Sequence, residues 1–281
     1  MSPSEPAGVG SKAWNVVFSG YFVLLLVYLL LPLLIVIPVS FGDDQWLQFP
    51  PERLSLRWYK SYFSDSRFVT ATVTSFWIAC VVSALATVIG TVTALGLSRA
   101  RFRGKNVLYG FIIAPLIIPI IIFALALFIL FNQLKMTGSV FGLILAHVVL
   151  ALPFPVLIVS AALQQFDTTL ERAGRILGAT PFRVFWHITL PYLTPAALAS
   201  AIFSFFVSFD ELVIALFITG RWDTLPKRIW SDLRLEIDPT IAAVAAILIA
   251  ITLVGITGGE LLRRWAMARS ANQLSMENNA A

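Results

Sequence analysis

Long apolar segments alternate with short polar ones along most of this chain. Six of the apolar segments are long enough to cross a bilayer, which takes about 20 residues per helix. They lie at residues 16–39, 70–97, 107–131, 139–163, 195–219 and 240–262. The pattern predicts an all-α polytopic membrane protein with six transmembrane helices.

The two ends of the chain do not share this pattern. Residues 1–13 are rich in Ser, Pro and Gly, and residues 266–281 are polar, so both are predicted to be disordered tails. Residues 14–265 form a single predicted transmembrane domain. The first apolar run is too long for a signal peptide, and no small-residue cleavage site follows it.

Composition agrees with a membrane protein. The chain has 281 residues, of which 58% are hydrophobic and 12% charged, whereas soluble domains carry about 25% charged residues. The net charge of +5 is not gathered in one patch, so nucleic-acid binding is not expected. Cys80 is the only cysteine and cannot form an internal disulfide.

Basic residues suggest an orientation. The sequence RARFRGK places four cations between the second and third apolar segments, whereas the loops at 41–68 and 220–239 balance their cations with acids. Because cytoplasmic loops carry the excess of Lys and Arg, we expect both termini and the loop at 164–191 to be cytoplasmic.

Some apolar segments carry features of a bundle with a cavity. Proline pairs are expected to break the third segment (Pro115, Pro119) and the fourth (Pro153, Pro155). The second segment has small residues on one face, which allow close helix packing: Ala79, Ser83, Ala86, Gly90 and Ala94.

Among the His, Asp, Glu, Lys and Arg residues, three lie in the interior of the apolar segments. His147 and Asp210 are each expected about 12–14 Å from the outer surface, at 1.5 Å per residue, and could face each other. Such residues either tie helices together or line a pathway. Glu211 is expected nearer the outer mouth of a cavity, and Phe206 and Phe209 could offer ring faces to a cation. These five residues form the predicted substrate path for a positively charged solute.

Two outer segments, at 54–63 and 225–237, have the apolar spacing of amphipathic helices. Leu54, Trp58 and Tyr62 fit one face of the first; Ile229, Leu233 and Ile237 fit one face of the second. Each is either a helix at the membrane interface or a docking surface for an external partner. The candidate docking residues are Arg57, Trp58, Tyr59, Trp230 and Arg234.

Motifs for catalysis are absent from the sequence. It contains no phosphate-binding glycine loop, no His-Glu-x-x-His zinc motif and no Gly-x-Ser-x-Gly elbow. We therefore expect no catalytic residue, cofactor or metal in this chain. A nucleotide-driven motor would have to be another subunit.

The segment from Glu171 to Pro191 predicts two short helices on the cytoplasmic surface. TLERAGRIL is typical of a first helix, and Gly178 suits its left-handed end. Thr180 can cap a second helix with Pro181 in its first position.

This segment resembles the cytoplasmic signature of ABC importer permeases: Glu-Ala-Ala, three residues, Gly, nine residues, Ile, any residue, Leu-Pro. Gly178, Ile188, Leu190 and Pro191 match, but the first part is Arg172-Ala173-Gly174, with Glu171 one place early. The resemblance implies a coupling helix that docks in a groove of an ATPase subunit. The residues implied in coupling are Glu171, Arg172, Ala173, Gly174, Gly178, Ala179, Ile188, Leu190 and Pro191.

A wider resemblance covers residues 14–265 and includes ALPFPVLIVSAALQQFD and FVSFDELVIALFITG. It is to the polyamine branch of these permeases, in particular the second permease of the pair. It implies a type I ABC importer permease domain with coupling loop 164–191, in a bacterial inner membrane. The implied partners are a second permease in a heterodimer, two ATPase subunits that bind ATP and Mg, a periplasmic or lipid-anchored substrate-binding protein, and membrane lipid.

The implied solute is a polyamine or related cation, although the same branch includes importers of amino-acid-like and opine-like solutes. A different class of function is a proton-coupled secondary transporter with His147, Asp210 and Glu211 as a relay. The absence of an evident repeat between the two halves of the chain disfavours this class. A secondary transporter would also give the segment 171–191 no function. A membrane enzyme is disfavoured by the missing motifs.

Overall fold

A computed structural model describes residues 9–100, 102–235, 238–253 and 257, and the secondary-structure elements within them are all helices. The helices are α1 (Val9–Ser40), α2 (Arg57–Ser64), α3 (Ser66–Arg99), α4 (Lys105–Ile117), α5 (Ile120–Gln133), α6 (Val140–Ala151), α7 (Pro153–Gln165), α8 (Thr168–Ile176), α9 (Pro181–Val184), a π-helical turn (Phe185–Thr189), α10 (Leu190–Phe209), α11 (Val213–Ile218), α12 (Leu225–Leu235) and α13 (Thr240–Leu253).

Four apolar helical stretches are long enough to cross a membrane: Val17–Ser40, Ser66–Arg99, Val140–Gln165 and Pro181–Phe209. The pair α4 and α5 adds a fifth if its two halves form one span, and these halves meet at an angle of 108°. The predicted sixth span at 240–262 begins with α13 and then extends outside the described residues. The structure therefore confirms the all-α class, while the described residues carry four or five of the six expected spans.

The sharp bend between α4 and α5 has a local cause. Ile118 precedes Pro119 and adopts an extended conformation, with φ −71° and ψ 132°, because a following proline disfavours the helical region. The predicted break of the third span is thus confirmed. Pro153 instead occupies the first turn of α7, a position where proline is tolerated. The fourth span therefore continues through its proline pair, contrary to the prediction.

The fifth span differs from its predicted bounds of 195–219. Its helix starts earlier, at Pro181, and continues through the π-helical turn into α10. It also ends earlier, at Phe209, and the short helix α11 follows after a break of non-helical backbone. This break is where the structure departs most from the pattern of apolar residues.

The chain divides into two compact units, one formed by residues 66–231 and the other by residues 1–65 with 232–281. In the first unit, the small-residue face of α3 is buried as predicted, with Ala79, Ala86 and Ala94 inaccessible to solvent. The Ser83 hydroxyl on that face donates a hydrogen bond of 2.6 Å to the carbonyl of Ala201 on α10. Small side chains thus bring α3 and α10 into direct contact.

In the second unit, α2 is fastened to the end of α1. The hydroxyls of Tyr59 and Ser40 are 2.6 Å apart, and the rings of Tyr59 and Phe41 lie 5.2 Å apart. Along α1 itself, the side chains of residues 17–34 are exposed, as expected of a helix that faces lipid or another subunit. The helix already starts at Val9, inside the predicted disordered tail, whereas residues 1–8 and 258–281 lie outside the described residues.

Candidate coupling loop and translocation site

The coupling loop begins with a capped helix. One carboxylate oxygen of Asp167 accepts a hydrogen bond of 2.8 Å from the backbone N–H of Thr169, and the other accepts one of 2.7 Å from its hydroxyl. These bonds, the side-chain one first, hold the pKa of Asp167 below its ordinary value. The charged carboxylate therefore stays at the N-terminus of α8, where it satisfies a free backbone donor and favours the helix dipole.

The turn between α8 and α9 has the predicted form. Gly178 has a φ of +86°, the left-handed conformation that glycine adopts without strain. The hydroxyl oxygen of Thr180 accepts a hydrogen bond of 3.3 Å from the N–H of Arg183, and Pro181 is in the first turn of α9. The structure thus confirms two short helices joined at Gly178.

Gly174 sets how closely these helices pack. A Cβ atom added at this position would lie 3.0 Å from Cδ1 of Ile188 and 3.2 Å from Cγ2 of Val184. The glycine therefore fits where α8 crosses the segment leading into α10. Its side of α8 faces inward, whereas Arg172 and Ala173 are exposed and Ala179 is half-buried.

Glu171 connects the loop to two other helices. Its Oε1 atom accepts hydrogen bonds from the Arg99 guanidinium at the end of α3 and, at 2.5 Å, from the hydroxyl of Thr189 just before α10. Thr189 is buried. The glutamate that stands one place early in the motif thus makes an ion pair within the chain, and Arg172 in the motif position points to solvent. The sequence did not identify Arg99 or Thr189 as partners, because no local pattern relates them to Glu171.

The loop enters the membrane helix through the π-helical turn. There the N–H of Leu190 bonds to the carbonyl of Phe185, five residues back. Pro191 has no N–H and its ring crowds the carbonyl four residues before it, so a widened turn accommodates it without a break. Ile188, Leu190 and Pro191 therefore join the loop to α10 as one helical rod.

The outer surface of the loop is unusually apolar. Leu170, Ile176, Leu177 and Phe182 are all exposed, and Leu177 retains 87% of its accessible surface. We call these four side chains the loop patch. Several exposed apolar side chains on one short polar loop suit a protein interaction surface.

Only some residues of the predicted substrate path make the contacts that the sequence predicts. His147 is buried and its Nδ1 atom lies 2.9 Å from the hydroxyl of Ser208, not against Asp210. Asp210 is exposed, and its carboxylate makes no hydrogen bond or ion pair within the described ranges. A clamp between His147 and Asp210 is therefore wrong: Ser208, two residues earlier and buried, takes that place.

Glu211 is less exposed than Asp210. It is half-buried, and its Oε1 accepts a hydrogen bond of 2.9 Å from the N–H of Ile214. This contact satisfies a backbone donor at the start of α11. Glu211 thus supports the helix that follows the break.

The two path phenylalanines differ in what they can contact. Phe206 is exposed, so a ring face is accessible. Phe209 stacks on Phe205 with ring centroids 5.6 Å apart and planes within 13°, so one of its faces is already covered. Phe206 is therefore the freer of the two.

The predicted docking residues differ in whether their side chains are exposed. Arg57, Trp230 and Arg234 are exposed. Trp58 is buried, with the Arg57 guanidinium carbon 4.8 Å from its ring centroid, and the Tyr59 hydroxyl is bonded to Ser40. The expectation that Trp58 faces a partner is therefore wrong, because its indole packs inside the protein. Among the described residues, no group of three or more His, Cys, Asp or Glu side chains is arranged to hold a metal ion.

These helices and the loop define a membrane permease of the importer type. Residues 86–267 match the family described as "Binding-protein-dependent transport system inner membrane component". The chain belongs to this family and is a non-catalytic permease subunit of an ABC importer, a multi-pass component of the inner membrane. The family inferred from the cytoplasmic signature is thus confirmed.

Similar proteins of known name cover most of the chain. The spermidine/putrescine transport system permease protein PotC of Escherichia coli K12 is 31% identical over 250 residues, covering 87% of this chain and 93% of that protein. The putrescine transport system permease protein PotI of the same strain is 33% identical over 258 residues, covering 88% and 89%. The crystal structure of a bacterial ABC transporter involved in the import of the acidic polysaccharide alginate matches with a TM-score of 0.70 at 14% identity, over 92% of this chain and 99% of that one. This last likeness confirms the permease fold.

Proposed function

We propose that this chain forms part of the translocation path for a small cation, with polyamines as the solute class, in an ATP-driven importer. Two relatives similar over most of their length, PotC and PotI, are named for spermidine and putrescine transport. These solutes carry separated ammonium groups on a flexible apolar stem. A path for them needs carboxylates or ring faces to compensate charge that leaves water.

The observation that carries this proposal is the break after α10, at Asp210. The hydrogen bond between His147 and Ser208 places the break near the depth of His147, and His147 lies about 12 Å below Ser139 at the outer end of α6, at 1.5 Å per residue. Non-helical backbone at membrane depth is tolerated where it is buried in protein or lines a water-filled cavity. The exposed Asp210 side chain favours the cavity, with Phe206 one turn earlier on the same helix.

At the cytoplasmic surface, the loop patch supplies the surface for an ATPase subunit. Apolar side chains there would be buried on docking, and the helix–turn–helix around Gly178 would hold them in a fixed arrangement. Both termini are then cytoplasmic. The full assembly contains this chain, a second permease and two ATPase subunits, and the ATPase subunits bind ATP and Mg.

On the outer side, Arg57, Trp230 and Arg234 are the surface residues for a periplasmic or lipid-anchored substrate-binding protein. Tyr59 fastens α2, which carries Arg57, to the end of α1. Exposed cations suit a partner whose docking face is acidic.

Reconstitution tests the proposed solute. The whole complex would be placed in proteoliposomes with ATP inside and its binding protein outside, and uptake of labelled putrescine and spermidine would be measured. We expect uptake that requires ATP, with arginine and uncharged amino acids competing weakly. Strong uptake of an amino acid with none of either polyamine would contradict the solute class, and uptake driven by a proton gradient without ATP would contradict the mechanism.

A further inference from the structure

We propose that Glu171, Arg99 and Thr189 form a clamp that makes the coupling loop move as one body with α3 and α10. Glu171 is the positioning residue at its centre. This inference rests on the proposed function, since it concerns how the importer transmits motion from the ATPase to the membrane helices.

The clamp joins three separate parts of the chain at one atom. Oε1 of Glu171 on α8 accepts hydrogen bonds from Arg99, the last residue of α3, and from Thr189, which immediately precedes α10. The side chain of Glu171 keeps only 12% of its accessible surface, whereas that of Arg99 keeps 46%. The Glu171 carboxylate is thus enclosed between the loop and α10, and the Arg99 guanidinium covers it on the side that faces solvent.

A second contact fixes the same part of α8. Gly174, one turn after Glu171, packs closely against the side chains of Val184 and Ile188. A glycine at this position lets α8 lie directly on the segment that becomes α10. The loop is therefore held to α10 by this packing and by the hydrogen bond from Thr189, and the ion pair with Arg99 links it to α3.

Beyond the clamp, α3 and α10 stay in contact deep into the bundle. Ser83 on α3 donates its hydrogen bond to the carbonyl of Ala201 on α10, and the rings of Phe76 and Phe205 meet edge to face at 5.6 Å. Phe205 in turn stacks on Phe209, next to Asp210. Force applied to the loop at Glu171 is thus delivered to a helix pair that ends beside the proposed cation path.

The clamp should matter more for coupling than for stability. This ion pair should contribute little to folding, because solvent screens the half-exposed Arg99 side chain and both side chains lose entropy when they pair. Its loss would leave the ATPase docked on the loop patch but allow the loop to move without α3. Hydrolysis would then continue while transport falls.

The test measures solute imported per ATP hydrolysed in the whole reconstituted complex. The variants are Glu171→Gln and Arg99→Gln, which remove the charge pairing, and Thr189→Val, which removes the second donor at nearly constant volume. Controls are Arg103→Gln, an exposed cation in the connection that follows Arg99, and Thr194→Val, whose hydroxyl donates to the carbonyl of Leu190 within α10. Copurification of the ATPase shows whether assembly is intact.

We expect each clamp variant to retain the ATPase and to need at least about fivefold more ATP per solute, the lower end of typical coupling effects. The double variant Arg99→Glu with Glu171→Arg exchanges the two charges. It should return the ratio of solute imported to ATP hydrolysed toward the wild-type value, because the side chain introduced by Glu171→Arg can still bond to Thr189. The two controls should keep the wild-type ratio.

Unchanged ratios in Glu171→Gln and Arg99→Gln would overturn the clamp while leaving the importer function intact. Loss of the ATPase in both variants and in the exchanged pair would also overturn it, since Glu171 would then serve docking. Failure of the wild-type complex to import a polyamine would count against the proposed solute and not against the clamp, because the ratio can be measured with any transported solute.

Discussion

Gly90 on α3 lies directly against Pro155 on α7, so that a Cβ atom at residue 90 would be 2.5 Å from the Cβ of the proline. Real side chains do not approach so closely, and backbone or ring atoms would have to move. The glycine in the small-residue face of α3 is thus what allows the fourth span to pack closely on the second.

Gly90→Ala should therefore destabilise the permease, by about 1–3 kcal/mol as in other overpacked cores. Gly96→Ala on the same helix is the matched control, because nothing lies within 4 Å of its added Cβ. Thermal unfolding of the purified complex, followed by loss of monodispersity, measures both. A Gly90→Ala complex as stable as Gly96→Ala would show that the two spans are not packed as described.

The turn at Gly178 should tolerate side chains according to their left-handed propensity. Its positive φ costs a β-branched residue about 1–2 kcal/mol, while Asn adopts this conformation readily. No other atom lies within 4 Å of an added Cβ, so the strain is in the backbone alone.

We therefore expect Gly178→Val to lose ATPase binding or to hydrolyse ATP without transport, and Gly178→Asn to stay close to wild type. Copurification and coupled uptake measure the two outcomes. Normal coupled uptake by a well-expressed Gly178→Val complex would mean that the turn conformation is not required.

Much of the coupling loop could be predicted because its signals are local. Gly178, Thr180 and Pro181 each act on backbone groups within a few residues, so their positions in the sequence define the two helices and the turn. The buried face of α3 was predictable for a similar reason, since its small residues recur at helical spacing.

Other features depend on partners far apart in the chain. The ion pair of Glu171 with Arg99 spans 72 residues, and the hydrogen bond of His147 with Ser208 spans 61. Apolar residues resume at Leu212 after Asp210 and Glu211, so hydropathy averaged over the segment predicts one continuous span, whereas α10 stops at Phe209. The sequence predicted Trp58 at the surface. Its burial depends on tertiary packing, which helical spacing alone does not specify.

Charge reversal should probe the outer docking surface. Arg57→Glu and Arg234→Glu should weaken stimulation of the ATPase by loaded binding protein, more at low salt than at high salt, because exposed charges act mainly on association and are screened. Arg103→Glu, at an exposed position outside the proposed docking surface, is the control. Basal hydrolysis should not change in any of the three.

An unaltered dose-response to the binding protein in both outer variants would instead favour α2 and α12 as helices that rest at the membrane interface. Titration of the binding protein at two ionic strengths separates the two roles.

Glu211 should act through its backbone contact. Glu211→Gln keeps an oxygen that can accept from the N–H of Ile214, whereas Glu211→Ala leaves that donor without its partner at a cost of about 1–3 kcal/mol. We expect the alanine variant to lower the melting temperature of the complex and the glutamine variant to assemble normally. Equal stability of the two variants would argue against a capping role.

Asp210 provides the most direct test, because the proposed cation path depends on its exposed carboxylate at the helix break. Initial uptake of labelled putrescine would be measured in ATP-loaded proteoliposomes for wild type and Asp210→Asn, with assembly and stimulated ATPase activity measured on the same preparations. We predict that Asp210→Asn assembles fully and that its transport efficiency falls by about tenfold, the change that ~1.4 kcal/mol of lost compensation produces. Wild-type putrescine uptake by an intact Asp210→Asn complex would contradict the proposed path.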